Sequence, residues 1–449
     1  MSETIVALAT PPGLSGIAVV RLSGDNAIDV AQKHFQSKID LTKSESHRIY
    51  YGQFVKKDGL IIDTVTVSIF REPNSYTGEN VIEVSSHGAI IVYNEIINTF
   101  IESGARLAKP GEFTQRAFLN GKLDLLQAEA VADLINSVSF LSEQASERQL
   151  EGSFTNRVKK FKQELIEIAG LLELELDFSE EDIEFIDKNE IKRKIYEVYD
   201  YIQVLLDDYN SSQILRTGFY ISIIGFPNTG KSTLFNTMLD KKRAIVSDIP
   251  GTTRDYLEEY IYLNGIPAKL FDTAGIRKSS DIIELQGIKL VDSIIKQSNL
   301  LLVLNDSNLG IEYSDNLIKD LKSNYGDKEI ILLQNKIDIS KIQERNESEV
   351  LISAKYGIGI DKLKEKLYDS AHKSISRVND QLINQRQYNL LYEIKINLMD
   401  ALNSIDNNME NEFISIDVRK AIKKIGELTG EIYNEEILNS IFSKFCIGK

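Results

Sequence analysis

The sequence is poor in the residues that cross-link small proteins or build metal sites. One cysteine, Cys446, and four histidines occur among 449 residues, and tryptophan is absent. A single cysteine excludes an internal disulfide and a cysteine-based zinc site, and the scattered histidines offer no metal-ligand spacing. No stretch of about 18 apolar residues or signal-like N-terminus is visible. We therefore expect a soluble, unexported, cytoplasmic protein without a membrane partner.

Basic residues and prolines are also scarce. There are 52 Lys and Arg against 67 Asp and Glu, a net charge of −15. This charge opposes non-specific adhesion to nucleic acid, so any RNA contact must come from a local patch. No proline lies between Pro110 and Pro227, which permits long helices throughout that stretch.

Hydrophobic patterning divides the chain into four segments. Residues 1–118 carry short β-branched runs separated by Pro and Gly turns, which predicts an α+β domain. Helical spacing follows in 119–215 and again in 375–449, where the second stretch runs from about Gln385 to Phe445. Residues 216–374 alternate apolar strands with amphipathic segments, which predicts a parallel sheet with crossover helices. The fold class predicted is thus α/β and multidomain, with the α/β domain inserted into a helical domain whose halves pack on each other. Two independent helical bundles remain an alternative.

The first helical segment is predicted to carry one apolar stripe. Its members are Leu123, Leu126, Ala130, Leu134, Val138 and Leu141.

A phosphate-binding loop follows the strand YISII. The segment Gly225 to Ser232 fits G-x-x-x-x-G-K-S after a strand and before a helix. Its backbone N–H groups can surround phosphate, Lys231 can reach the β and γ oxygens, and Ser232 can bind Mg²⁺. The contacts expected in this loop are Asn228, Thr229, Gly230, Lys231, Ser232 and Thr233.

Three further motifs follow in the order typical of a GTPase. They are Asp272-Thr273-Ala274-Gly275, Asn335-Lys336-Ile337-Asp338 and Ser353-Ala354-Lys355. An acid at the end of a strand can hold Mg²⁺ through water, and a glycine N–H can sense the γ-phosphate. In proteins of this class the aspartate of N-K-x-D accepts hydrogen bonds from guanine, and adenine would leave it unpaired. The four motifs together predict a site for GTP rather than ATP.

The residue after the D-x-x-G motif is Ile276, whereas Ras-like proteins have a water-orienting glutamine there. The segment Ser247 to Asp255, together with Asn228, resembles the potassium-activated GTPases. That resemblance implies that K⁺ is held by side-chain oxygens of Asn228 and Thr252 and by carbonyls of Ser247 and Ile249. Thr253 is implied as the switch contact to Mg²⁺. The remaining contacts expected in this segment are Asp248, Pro250 and Gly251. An ordinary turn at Asn228 and an ordinary loop at the threonines are the alternatives.

Sequence outside the G domain resembles one family. The segments KPGEFTQRAFLNGKLDLLQAEA, NSYTGENVIEVSSHG and TIVALATPPG, with the C-terminal FCIGK, match the MnmE (TrmE) family of tRNA wobble-uridine modification GTPases. Its G domain is of the TrmE-Era-Septin-like class. The resemblance spans essentially the full length. It implies a folate-binding N-terminal domain that dimerises, and an FAD-containing partner resembling MnmG in a heterotetramer. A carboxymethylaminomethyl-type group would be added to C5 of the wobble uridine of certain tRNAs.

The resemblance also assigns individual residues. Glu284, nine residues beyond Gly275, is implied to position the attacking water, whereas the residues alone favour a helix cap formed with Asp281. Contacts to 5-formyltetrahydrofolate or 5,10-methylenetetrahydrofolate are implied for Arg21, Glu83, Lys122 and Lys449. On composition alone, Glu83 and Lys122 would be ordinary surface charges.

Cys446 belongs to a C-x-G-K terminus that the resemblance places near the helical core and makes necessary for modification. From the residues alone, a frayed tail or a small apolar contact is the default reading. One neighbouring lysine is little support for a reactive thiol.

Two other functions remain open. A ribosome-assembly or signalling switch would carry the same G-domain motifs without modification chemistry. A membrane-remodelling GTPase would need a basic or lipid-inserting amphipathic segment, and the acidic stretch EEDIEFIDKNE argues against one.

Overall fold

The computed structural model describes most of the chain. The described residues are 3–177, 187–239, 258–272, 284–309, 312–326, 328–340, 349–375 and 381–448, without the side chains of 177, 258 and 284–290. The chain forms two compact units. The first comprises 1–132, 150–195 and 396–449, and the second comprises 133–149 and 196–395.

Strands in the described residues form two sheets. In the first unit they are β1 Ile5–Leu8, β2 Ser15–Ser23, β3 Phe35–Gln36, β4 Arg48–Val55, β5 Ile61–Phe70, β6 Val81–Gly88 and β7 Arg106–Leu107. In the second unit they are β8 Phe219–Ile224, β9 Glu258–Leu263, β10 Ile266–Asp272, β11 Leu300–Asp306, β12 Glu329–Asn335 and β13 Glu349–Leu351.

Helices occupy most of the remaining described chain. The first eight are α1 Ala27–Gln32, α2 Ile90–Glu102, α3 Glu112–Leu119, α4 Leu125–Ile135, α5 Phe140–Leu150, α6 Ser153–Asp177, α7 Lys188–Asp207 and α8 Tyr209–Thr217. The others are α9 Lys231–Met238, α10 Glu284–Gln297, α11 Glu312–Tyr325, α12 Ile360–Ile375, α13 Gln385–Asp406, α14 Asn411–Thr429 and α15 Glu435–Phe442. In the part of the chain that the structure describes, no helix has the length and apolarity needed to cross a bilayer.

The sheet of the first unit has the strand order β3-β4-β5-β6-β2-β1-β7 and is antiparallel except where β1 meets β7. Along β5, Val65, Val67 and Ile69 are buried, while the residues between them are half-buried. The buried face packs against α1 and α2. This alternation is typical of an antiparallel sheet with one covered face, and the predicted α+β architecture is confirmed.

The two helical stretches meet in the first unit. Helix α6 packs along α14, and side chains near the C-terminal end of α6 join the two helices: Arg419 pairs with Glu173, and the Asn411 amide donates to Glu175. The predicted association of the two helical halves is thereby present in the fold. The domain boundaries given above stay a prediction.

The apolar stripe predicted through Val138 and Leu141 is not one continuous helix. Helix α4 ends at Ile135 and α5 begins at Phe140. Ser139 accepts a hydrogen bond from the Ser142 N–H at 3.1 Å, and Ser142 accepts one from the Ser139 N–H at 3.1 Å. Such reciprocal capping begins a new helix, because it satisfies N–H groups that lack partners at a helix start.

The sheet of the second unit has the order β13-β12-β11-β8-β10-β9, with helices packed on it. The predicted parallel pairing holds for its neighbours from β13 to β10, but β9 is antiparallel to β10. The two strands are joined by Asn264 and Gly265, both with positive φ, 47° and 90°. An Asn-Gly pair in this conformation makes a tight hairpin. The signal was in the sequence and was missed.

Parallel strands present their carboxyl ends at one edge of the sheet, where ligands bind in such folds. At this edge β8 leads into Gly225, β10 ends at Asp272, β11 ends at Asp306 and β12 ends at Asn335. Residues that are more than 100 positions apart therefore meet there.

Candidate functional sites

The loop between β8 and α9 depends on two glycines. A side chain at Gly225 would collide with the Leu304 carbonyl oxygen of β11. Gly230 has a φ of 100°, and a side chain there would collide with the Asn335 amide. Because only glycine accepts both the close approach and the left-handed backbone, the predicted loop motif is explained by local geometry.

The Lys231 side chain lies inside this loop and hydrogen bonds to its backbone. It is 8% exposed, and its amine donates to the carbonyl oxygens of Gly225 and Phe226, both at 2.8 Å. Thr229 donates to the Phe226 carbonyl at 2.9 Å and so holds the turn. A buried ammonium that rests on loop carbonyls is placed to exchange them for phosphate oxygens.

Ser232 and Asp272 form the pair expected to hold Mg²⁺. Ser232 Oγ donates to Asp272 Oδ2 at 2.8 Å, and Asp272 is 1% exposed at the end of β10. A hydroxyl and a carboxylate are hard oxygen donors, which is the chemistry that Mg²⁺ prefers. In P-loop nucleotide hydrolases the same two residue types hold the ion. The residues present therefore fit the metal.

The residues predicted to recognise the base are joined to the phosphate loop by one side chain. The Asn335 amide donates to the Thr229 carbonyl at 2.8 Å, and its oxygen accepts from the Ala354 N–H at 2.9 Å. Ser353 donates to Asp338 Oδ1 at 2.6 Å, while Asp338 itself is exposed. The structure thus brings three predicted motifs into one hydrogen-bonded network.

Two other predicted contacts lie at the margin of this network. Thr233 is exposed on α9, and its carbonyl accepts from Thr237, which also donates to the Ala354 carbonyl. Lys355 is exposed, with its amine 5.0 Å from the centre of the Tyr356 ring.

Asp306 is a residue that the sequence analysis missed. It ends β11 as Asp272 ends β10, and its Oδ2 lies 2.6 Å from Lys336 Nζ. Burial raises the pKa of the Asp306 carboxyl, but hydrogen bonds from Lys336 and Asn308 outweigh burial, and its pKa is lowered. The available signal was an aspartate at a strand end.

Part of the predicted potassium and switch region lies outside the described residues. Those outside are Ser247, Asp248, Ile249, Pro250, Gly251, Thr252, Thr253, Thr273, Ala274 and Gly275. Lys449, one of the predicted folate contacts, also lies outside them. Glu284 begins α10, but its side chain is not described. Asn228 is described: it has a φ of 64°, and its carbonyl accepts from Lys336 at 2.9 Å.

A second cluster joins Arg21 and Glu83 on the sheet of the first unit. The two residues face each other across β2 and β6, and Arg21 Nε donates to Glu83 Oε1 at 2.8 Å. The Arg21 guanidinium lies 5.9 Å from the Tyr76 ring centre and 5.7 Å from that of Phe113. Lys122 is exposed, and its amine donates to the Pro73 carbonyl at 3.0 Å. Its stem lies against Gly78 on the Tyr76 loop.

The C-terminal segment reaches this cluster. Arg21 Nη1 donates to the Gly448 carbonyl at 3.2 Å, and a side chain at Gly448 would collide with the Leu8 carbonyl oxygen. Phe445 is buried with α4 and α15, and the Cys446 thiol is exposed. The interpretation of Cys446 as part of a frayed tail is wrong, because Phe445 before it and Gly448 after it both contact the rest of the first unit. The segment lies against β1 as well as the helices.

Family models match both parts of the chain. A model described as the MnmE helical domain matches residues 125–446, and one described as the GTP-binding protein TrmE N-terminus matches residues 4–122.

Curated relatives match over the full length. The tRNA modification GTPase MnmE of Cytophaga hutchinsonii is 40% identical over 455 residues, which cover 100% of this chain and 98% of that protein. The protein of the same name from Acetivibrio thermocellus is 39% identical, with 100% and 99% covered. That from Petrotoga mobilis is 40% identical, with 100% of both covered.

Two solved structures each match 34% of the chain. The G domain of the T. maritima FeoB iron transporter is 27% identical and covers 34% of this chain and 98% of that one, with a TM-score of 0.27. Era from Aquifex aeolicus is 26% identical and covers 34% and 56%, with a TM-score of 0.26.

Proposed function

This chain belongs to the MnmE family of tRNA modification GTPases, and from that premise we propose that it is a potassium-activated GTPase that modifies the wobble uridine of certain tRNAs. With an FAD-dependent MnmG-like partner, it adds a carboxymethylaminomethyl-type group to C5 of that base. It works in the cytoplasm as a homodimer within a heterotetramer.

One observation supports the GTPase part most strongly. The Asn335 side chain hydrogen bonds both to Thr229 of the phosphate loop and to Ala354. The same network places Asp338 beside Ser353, with one carboxylate oxygen fixed. A carboxylate held in this way can accept the N1 and N2 hydrogens of guanine, and adenine offers no matching pair. With adenine bound, the Asp338 carboxylate would lack these donors, and the cost of leaving it unpaired favours guanine.

The hydrolytic roles follow from the side chains. Lys231 would bind the β and γ oxygens of GTP, Ser232 would hold Mg²⁺, and Asp272 would hold it through water. The chemistry that Mg²⁺ would supply there is neutralisation of the charge that develops on the phosphates. The potassium proposal adds Asn228 and Thr252 as side-chain ligands, with the carbonyls of Ser247 and Ile249. The switch contact to Mg²⁺ is Thr253, and Glu284 positions water.

In this proposal the first unit binds the folate that supplies the one-carbon group. Arg21 and Glu83 form a paired cation and carboxylate beside Tyr76 and Phe113. A carboxylate suits the amide-like edge of a pterin, and cations suit the glutamate tail of 5-formyl- or 5,10-methylenetetrahydrofolate. Lys122 and Lys449 would be further cations for that tail.

The sheet face that carries Arg21 and Glu83 supports dimerisation. Glu83 pairs with Ser68, and Ser68 pairs with Ile49, so Ile49 lies in the same row across the sheet. Ile49 is 70% exposed, and Tyr51, two residues along the same strand, is 74% exposed. Neighbouring exposed apolar side chains on one sheet face offer a surface that a second copy of the chain would bury.

Nucleoside analysis of tRNA tests the proposal. In a strain that lacks the gene, mass spectrometry is expected to find wobble uridine without the C5 group, and the intact gene is expected to restore it. A gene carrying Arg21→Ala is expected not to restore it, although the purified variant still hydrolyses GTP, because Arg21 belongs to the first unit and the GTP site to the second.

Normal modification in the deletion strain would contradict the proposal. It would favour the ribosome-assembly or signalling switch, which needs the G-domain motifs alone.

A further inference from the structure

Lys336 connects two loops of the nucleotide site. It follows β12, and its amine donates to the Asn228 carbonyl of the phosphate loop at 2.9 Å. The same amine donates to Asp306 Oδ2 at 2.6 Å. Asp306 reaches it because the last residues of β11 and β12 are paired, Asp306 opposite Asn335. The lysine therefore bridges the phosphate loop and the end of β11.

The Asp306 carboxylate is fixed through both oxygens. Oδ1 accepts hydrogen bonds from the backbone N–H and the side-chain amide of Asn308, both at 3.0 Å, and Oδ2 accepts from Lys336. The side chain is 14% exposed. Charge-assisted hydrogen bonds on both oxygens leave the carboxylate little freedom to rotate.

The backbone of Lys336 also needs support. Its φ is 68°, a left-handed conformation that is unfavourable for a residue with a long side chain. Such conformations persist where surrounding contacts over-determine them. A lysine held by one carbonyl alone would sample several rotamers, because its stem has four rotatable carbons.

We propose that Asp306 is a positioning residue for nucleotide binding: by holding Lys336 against Asn228, it sets the spacing between the phosphate loop and the base-recognition loop before the nucleotide arrives. The inference rests on the proposed binding of guanine nucleotides at this site. GTP and GDP both contact the two loops, so both depend on this spacing. Hydrolysis of bound GTP does not use Asp306 directly.

Nucleotide affinity of the full-length chain tests this role. Asp306→Asn is expected to raise the Kd for GTP and for GDP by about tenfold or more, since a hydrogen bond to a charged group is lost. KM for GTP should rise in parallel, while kcat at saturation stays within about twofold.

Asp292→Asn is a matched control. Asp292 lies on α10 in the same unit, where it pairs with Lys296 at 2.7 Å and accepts from Tyr325 at 2.9 Å. This change removes an aspartate–lysine pair that is more exposed and that includes none of the proposed nucleotide contacts, so it should leave both Kd values unchanged. Asp306→Glu keeps the charge and is expected to recover part of the affinity, which a loss of folding would not allow.

A double-mutant cycle separates positioning from general stability. In a Lys336→Met background, Asp306→Asn should have little further effect on Kd, because Asp306 acts through the amine. Full additivity of the two changes would overturn the proposal, as would a folded Asp306→Asn protein with wild-type Kd or with only kcat reduced. Tight GTP binding by the unchanged protein would still support the GTPase function in those cases. Its absence would contradict both.

Discussion

Glu112 is a carboxylate held between two arginines in the first unit. It is 6% exposed, accepts from Arg106 Nη2 at 2.6 Å and Arg116 Nη2 at 3.0 Å, and accepts from the Lys109 N–H at 2.9 Å. Burial alone would raise the pKa of this carboxyl, but the hydrogen bonds and charges outweigh burial and lower the pKa to about 2. The same Arg116 pairs with Glu79 at 2.9 Å. These contacts tie α3 to the loop that carries Tyr76, and so to the Arg21 site.

Glu112→Gln is expected to lower the free energy of unfolding by about 3 kcal/mol at pH 7, because it removes the buried negative charge that Arg106 and Arg116 both contact. The folded pKa of Glu112 lies below its unfolded value, so the stabilisation is complete above the unfolded pKa of 4.5. It is lost as the pH falls from there towards about 2. Denaturant unfolding at a series of pH values should therefore show the difference shrinking below pH 4.5.

Glu45→Gln provides the comparison for this residue. Glu45 is 76% exposed and pairs with Arg48 at 3.0 Å, and exposed pairs contribute about 1 kcal/mol at most. The variant should stay close to wild type at every pH. A difference for Glu112→Gln that did not change between pH 7 and acid would rule out the proposed charge role.

At the scale of elements, the C-terminal segment beyond α15 has no regular secondary structure but contacts β1. Beyond α15, Phe445 is buried and Gly448 lies against β1. Gly448 has a φ of 96°. A side chain there would meet both the left-handed strain and the Leu8 carbonyl.

Gly448→Ala is expected to release this segment from β1, because Arg21 and Leu8 cannot both keep their contacts. Digestion with carboxypeptidase should remove C-terminal residues several-fold faster than from wild type, and binding of 5-formyltetrahydrofolate should weaken. Gly170→Ala is the control, since Gly170 lies within α6 with open space around it and ordinary backbone. Unchanged protection in Gly448→Ala would show that the segment does not depend on this glycine.

At the scale of the whole molecule, the net charge of −15 gives a monovalent cation two ways to act, by screening the surface and by binding a specific site. Any salt screens repulsion across such a surface, whichever monovalent cation is present. A specific ion site differs, because its oxygen ligands select by size. Potassium and sodium must therefore be compared at the same ionic strength.

Replacing K⁺ with Na⁺ under that condition is expected to slow GTP hydrolysis at least roughly tenfold, about 1.4 kcal/mol of barrier. Asn228→Ala should reduce the difference between the two salts, because its side-chain oxygen is a proposed ligand. Equal rates of the unchanged protein in the two salts would remove the potassium site from the mechanism and leave the GTPase assignment intact.

Motifs within one strand and its following loop could be predicted from the sequence. The loop from Gly225 to Ser232 and the strand-end residues Asp272 and Asn335 were found because local spacing carries them. Arg21 and Glu83 were reached only through resemblance to a family, since neither residue lies in a local motif that indicates its partner. Asp306 was missed because its role depends on Lys336, which is distant along the chain.

The sequence by itself determined the strands, the order of the nucleotide motifs and the family, because periodicity, turn residues and loop chemistry are local properties. Only the tertiary structure decided which distant groups meet. It paired Arg21 with Glu83 and Gly448, and Lys336 with Asp306 and Asn228. Such contacts depend on strand order and register. These are set by the packing of the whole sheet and cannot be inferred from any single segment.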